Sequence, residues 1–159
     1  MQIFPYKQLT ITSRRSPSEL SSSLIENSES KLFGIRFGGI GKPLIGTFEG
    51  THFKLRRAII YRNSFIPVAI GKISPHKHGS IVDVTLRMNK FVIIFMCAWF
   101  SISSIFATKE IYSYYFESEN MSLFGVGAFI VGYIMMQGGF WLEVPKITKI
   151  LMNIASDSN

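Results

Sequence analysis

The stretch "NKFVIIFMCAWFSISSIFATKE", Asn89 to Glu110, decides the architecture. Between Lys90 and Lys109 it runs for eighteen residues without a charge. As a helix these residues extend about 27 Å, close to the roughly 30 Å hydrocarbon core of a bilayer. A second uncharged run, from Met121 to Leu142, holds twenty-two residues and extends about 33 Å. Two fully buried helices of this kind in a soluble protein need a domain large enough to enclose them. The ninety residues that precede these runs are too few for that. The two runs therefore predict membrane spans over 91–108 and 121–142, joined by the polar loop 109–120.

Small residues indicate where the two spans meet. Cys97, Ser101, Ser104 and Thr108 recur at spacings of four, three and four, and Gly125, Ala128, Gly132 and Gly139 form a matching stripe. Lipid gives helices no hydrophobic reason to associate, so close backbone approach and hydroxyl hydrogen bonds supply it. The expected packing face is Ser101 and Ser104 against Gly125, Ala128, Gly132 and Gly139. Trp99 falls in mid-span and is expected to pack on the partner helix or face lipid.

The charge distribution orients the hairpin. Of the seventeen Lys and Arg, fourteen lie in residues 1–90 against five Asp and Glu; the loop carries Lys109 against Glu110, Glu117 and Glu119. Basic segments stay cytoplasmic, so both termini are expected inside and the acidic loop outside. This predicts a multi-pass protein of the inner (cytoplasmic) membrane. Tyr112, Tyr114 and Tyr115 would then lie at the outer interface and Trp141 near the inner one. The N-terminus has no continuous apolar segment with a small-residue cleavage site, so no secretory signal is expected. The single cysteine, Cys97, excludes a disulfide within the chain.

The first 89 residues read as a separate α+β module. "YKQLTITS" has strand character. Ser16, Pro17 and Glu19 form a capping box with proline at the first helical position. Leu20, Leu24 and Ile25 give that helix its apolar stripe. "LIGTFEG", "HFKLRRAIIYR", "FIPVAIGKIS" and "SIVDVTLRM" predict strands rich in β-branched and aromatic residues. Asn63-Ser64 is the expected hairpin turn between the second and third of these. Pro67 predicts an edge strand or a bulge. The expected fold class is thus an α+β membrane protein. An antiparallel sheet of four or five strands with one covering helix (residues 1–89) precedes a helical hairpin (90–142) and a short amphipathic tail helix (143–159). In that tail Ile147, Ile150, Leu151 and Ile154 form an apolar stripe, which can dock on the sheet, the preferred expectation, or lie in the inner headgroup layer.

Catalytic and cofactor motifs are not found. "GIRFGGIGKPLIG" departs from a phosphate loop at both ends: Arg36 stands where the first glycine belongs and Pro43 where the hydroxyl residue belongs. His76 and His78 share a turn with no third metal ligand nearby in sequence. The carboxylates show no acid/base pair spacing, and no serine lies in a nucleophile elbow. The chain is therefore read as a non-enzyme without metal or cofactor. The feature that stands out is the basic cluster Lys54, Arg56, Arg57 and Arg62. Juxtamembrane basic groups are drawn to anionic lipid by about 1 kcal/mol each, which makes membrane lipids the expected partners. The aromatic residues do not form a stacking platform, and nucleic acid is not expected. The alternatives are an accessory subunit held by the hairpin to a membrane partner or a second copy, and a small lipid-ligand binder.

The segments "FKLRRAIIYRNSFIPVAIGKI", "VDVTLRMNKFVIIFMCAWF" and "GGFWLEVPK" resemble a family of uncharacterised small bacterial membrane proteins. In these a short strand-rich region with a Tyr-Arg-Asn-Ser-Phe-x-Pro stretch precedes two spans. The likeness covers most of the chain and implies no activity or site residues. A looser likeness is one of fold: "LTITSRRSPSEL" resembles the strand-then-helix opening of START-like helix-grip domains, and the tail helix would match their closing helix with the hairpin inserted ahead of it.

Overall fold

The structure is a computed structural model and describes residues 4–32, 35–37, 41–116 and 122–156. Its elements in chain order are β1 (Tyr6–Ser13), α1 (Pro17–Glu26), β2 (Ser28–Leu32), β3 (Ile35–Phe37), β4 (Leu44–Glu49), β5 (His52–Arg57), β6 (Val68–His76), β7 (Gly79–Arg87), α2 (Lys90–Phe116), α3 (Phe124–Trp141) and α4 (Val144–Ser156). The seven strands form one sheet in the order β1-β7-β6-β5-β4-β2-β3. Every neighbouring pair is antiparallel except β2 and β4, which run parallel.

This sheet is larger than the four or five antiparallel strands expected. The two additional strands, β2 and β3, lie where serine, glycine and charge obscure any strand pattern. A further difference lies in β5, which stops at Arg57 instead of continuing to Arg62. The Ala58 N–H donates to the Pro43 carbonyl at 2.8 Å, and residues 58–67 then leave the sheet as a connection. Pro67 has no N–H to extend the ladder of β6 backwards, so Asn63-Ser64 is not a two-residue hairpin turn. Nor does Pro67 mark an edge: β6 lies inside the sheet, between β5 and β7.

One face of the sheet carries the core. Ile11, Val82, Val84, Leu86, Ala69, Ile73, Phe53, Leu55 and Leu44 point to the same side and are buried. Opposite Phe53 is Gly71, where a Cβ would stand 2.2 Å from the phenyl ring; only glycine leaves the ring its place. Helix α1 covers this face with Leu20 and Leu24, while Ile25 stays exposed. Its capping box is complete: the Glu19 N–H donates to Ser16 Oγ, and the Ser16 N–H donates to Glu19 Oε2 at 2.8 Å. Helix α4 lies beside it, burying Ile147, Leu151 and Ile154, with Ile150 packed at the margin. The Ser13 hydroxyl donates to the Ala155 carbonyl at 2.7 Å and ties α4 to β1. The tail helix thus docks on the sheet.

Helices α2 and α3 are long and apolar enough to cross a membrane. Of the most apolar eighteen residues of α2, 11% are buried; in the region running from α3 through α4 the corresponding share is 22%. A core helix of a soluble protein would be mostly covered. Helix α2 also continues eight residues beyond Thr108, to Phe116, so Lys109, Glu110 and the three tyrosines are helical and not in a loop. Glu117, Glu119 and Met121, assigned to the loop and the second span from sequence, lie outside the described residues.

Candidate functional site

The chain brings three features together where the sheet meets the hairpin. The first is a buried ionic cluster. Glu143 occupies the two-residue turn between α3 and α4, and its side chain is 3% exposed. It accepts from Arg57 Nε at 2.7 Å, from Lys146 Nζ at 2.8 Å and from the Tyr61 hydroxyl. Tyr61 also accepts from Arg57, and both cations lie near its ring, at 5.6 and 5.8 Å from the centroid. Burial pushes the Glu143 carboxyl up, but hydrogen bonds from Lys146, Tyr61 and Arg57, with the Arg57 charge, outweigh it and hold the group below its ordinary value. The hydrogen bond to Glu143 raises Lys146.

The second feature is the docked connection 58–67. Asn63 Nδ2 donates to the Gly139 carbonyl at 2.9 Å, and its Oδ1 accepts the Phe65 N–H at 2.9 Å. A Cβ on Gly139 would come within 2.9 Å of the Phe65 side chain. Gly139 therefore faces the connection and not α2. Beside Phe65 a wholly apolar groove of about 270 Å³ runs between the helices, lined by Phe95, Met96, Trp99, Val131, Gly132 and Met135.

The third feature is the sheet's outer face, whose residues fall into rows across the strands. The row nearest the hairpin reads Tyr6, Arg87, Val68, Arg56, Ile45 from β1 to β4. The next is Gln8, Thr85, Ile70, Lys54, Thr47, and the third is Thr10, Asp83, Lys72, His52, Glu49. Positive charge on β5 and β7 thus lies towards the hairpin; from β1 to β4 the acidic residues, Asp83 and Glu49, stand in the farthest row, while the nearest row continues into β2 with the buried Glu29. A hollow of about 340 Å³ opens between the first two rows, with Lys54, Arg56, Thr47 and Asn89 around its walls and Ile45 and Val68 in its floor.

The basic cluster read from sequence is therefore divided. Lys54 and Arg56 share the outer face, Arg57 points to the helix side and is committed to Glu143, and Arg62 lies exposed in the connection. The strand alternation itself placed Arg57 with Phe53 and Leu55. A charge on an otherwise apolar face signals a buried partner, and Glu143, the first charge after the second apolar run, was the available one.

The helix-packing face is corrected in the same way. Gly125 and Gly132 are buried against α2: a Cβ on Gly125 would stand 2.3 Å from the Ala107 nitrogen, and one on Gly132 would stand 2.5 Å from Trp99 Nε1. Ala128 accepts the Trp99 indole N–H at 3.1 Å, and Phe100 packs on Phe129 with ring centroids 4.8 Å apart. On α2, however, the contact face runs through Met96, Phe100, Ser103 and Ala107, while Ser101 and Ser104 are exposed. The serine stripe differs from the contact stripe by one position, and spacing alone does not separate them. Ser104 and Thr108 satisfy their hydroxyls on their own helix, donating to the Phe100 and Ser104 carbonyls at 2.8 Å.

At the far end of the hairpin, Glu110 of α2 caps α3. Its carboxylate accepts the Gly125 N–H at 3.0 Å and the Ser122 hydroxyl at 2.9 Å. Among the described residues no group of three metal-ligating side chains occurs. The sequence matches no family model, and no curated protein or solved structure matches it.

Proposed function

We propose that the chain is an integral, non-enzymatic membrane protein that holds a basic sheet against the anionic headgroups of the inner leaflet. In this reading α2 and α3 cross the bilayer, and the sheet, α1 and α4 lie on the cytoplasmic side. The observation that carries it is the surface of α2. It leaves Phe91, Ile94, Phe95, Ile102, Ile105 and Phe106 exposed, a contiguous apolar face of a kind that water does not tolerate on a monomer. The hydroxyls satisfied within the helix fit the same surroundings. The row of Arg56 and Arg87 next to the hairpin supplies positive charge at headgroup level.

The test is retention and sidedness in native membranes. The full chain should resist a carbonate wash. In a Cys97→Ser background, a cysteine at Ser122 should react with an impermeant maleimide from outside, and one at Lys77 only after permeabilisation. Release by carbonate would end the membrane reading; the reverse labelling pattern would end the orientation.

A second reading, an accessory subunit held by its hairpin, draws on the exposed stripe Cys97, Ser101 and Ser104, which leaves one side of α2 open to another helix. Ser101→Leu should then abolish co-purification of a partner while insertion continues.

A further inference from the structure

We propose that the hollow between Lys54 and Arg56 on the outer face of the sheet is a binding site for the phosphate of an anionic phospholipid. The inference rests on the headgroup reading above and assigns it to one place. Three observations converge there. Lys54 and Arg56 take part in no ion pair among the described residues, whereas Arg57 and Lys146 are both engaged by Glu143. Strand β5 therefore holds, at alternate positions on one face, two cations with no ion pair among the described residues over a concavity of about 340 Å³, and a guanidinium beside an ammonium suits a phosphodiester. The floor is apolar: Ile45 and Val68 are buried although they belong to the outer face. A phosphate on a hydrocarbon-bearing molecule matches such a lining better than a fully hydrated ion does.

The position supplies the third observation. Asn89 lines the hollow and also starts α2, its Oδ1 accepting the Phe91 N–H at 3.0 Å. From there the chain has no charge beyond Lys90 until Lys109. A hollow at the first residue before a span lies at the depth of lipid phosphates. Glu29, next to Ile45 in the same row, is buried and does not line the hollow.

The experiment uses the full-length chain in neutral detergent. It is equilibrated with equal amounts of phosphatidylglycerol and phosphatidylcholine, and the retained lipid is read by native mass spectrometry. The wild type should retain phosphatidylglycerol preferentially, and Lys54→Gln/Arg56→Gln should weaken that preference about thirtyfold, two basic contacts' worth. Lys54→Arg/Arg56→Lys should keep it, as should Lys72→Gln, which removes a cation from the farthest row. A double variant that retains phosphatidylglycerol like the wild type overturns the site while leaving the headgroup reading standing. Displacement of the lipid by excess inorganic phosphate overturns lipid as the source of the phosphate. A wild type with no preference for phosphatidylglycerol overturns the headgroup reading itself. Among the described residues neither Lys54 nor Arg56 contributes an ion pair, and unchanged thermal unfolding of the double variant confirms that only the surface has changed.

Discussion

Arg57 at the end of β5 and Glu143 in the turn before α4 meet at 2.7 Å although they stand 86 positions apart in the chain. The bond joins the last inward-facing position of a strand to the turn that leaves the hairpin. Burying a carboxylate is unfavourable unless it is paired, and removing one partner strands the other. Arg57→Ala should therefore destabilise the protein by about 3 kcal/mol, the lower end of the range for a broken buried pair, because Lys146 still reaches Glu143. Chemical unfolding in detergent micelles measures it. Arg57→Lys should lose less, since it keeps the charge but not the fork of donors.

The same cluster sets a pH dependence. Glu143 is held below the ordinary carboxylate value of 4.5, so its contribution is fully present above that value and is lost as the pH falls through the lower folded value. Lys146 is raised above 10.5, so its contribution holds below that value and is lost as the pH rises through the folded one. Stability should be flat around neutrality. Glu19, also lowered through its capping box, has the same acid sign as Glu143. The difference between wild type and Glu143→Gln isolates the cluster: it should shrink as the melting temperature is followed below pH 4.5. A difference that stays constant into strong acid would rule out the ionised carboxylate as its source.

How much of this was legible depended on whether the deciding partner was local. Ser16 and Glu19 are three residues apart, and their capping box follows from the sequence. So do β6, β7 and the docking stripe of α4, where alternation or helical spacing is unbroken by charge. Strands β2 and β3 escape because their pairing with β4 and with each other depends on the sheet already being present. Glu110 and Glu143 show the same limit. Each is an ordinary charge flanking an apolar run, and each acquires its role from a group that only the tertiary fold brings near: the free N–H of Gly125 for one, the guanidinium of Arg57 for the other. The hollow by Lys54 and Arg56 was half visible. Their charge was evident, but the floor of Ile45 and Val68 requires the strand register.

Gly132 and Gly127 lie five positions apart in α3 and should answer oppositely to added bulk. A Cβ on Gly132 meets the Trp99 indole at 2.5 Å, whereas one on Gly127 meets nothing within 4 Å. Gly132→Leu should displace the indole, break its hydrogen bond to Ala128 and cost about 1–3 kcal/mol as an overpacked site. Gly127→Ala should be neutral or stabilise by up to about 1 kcal/mol through helix propensity. Tryptophan emission should shift for the first variant and not for the second, because Trp99 and Trp141 are the only indoles in the chain.

Glu110 closes the other end of the hairpin by acting as a cap in trans. Helix α3 follows Leu123, which makes no side-chain cap hydrogen bond; the Phe124 N–H reaches Ser122 Oγ at 3.3 Å, and the Gly125 N–H and the positive dipole end call for a further acceptor. The Glu110 carboxylate supplies one to Gly125. Glu110→Ala should cost about 0.5–2 kcal/mol, the range for loss of a cap, and Glu110→Gln less, since the amide oxygen still accepts. Glu110→Asp should behave like the alanine variant, being one methylene too short to span the gap between the helices. Hydrogen exchange at Gly125 reads the bond directly: faster exchange in the alanine and aspartate variants, with protection kept in the glutamine variant, is the expected pattern. Equal protection in all three would mean that the amide is shielded by the α2–α3 contact alone and that the carboxylate contributes nothing to the cap.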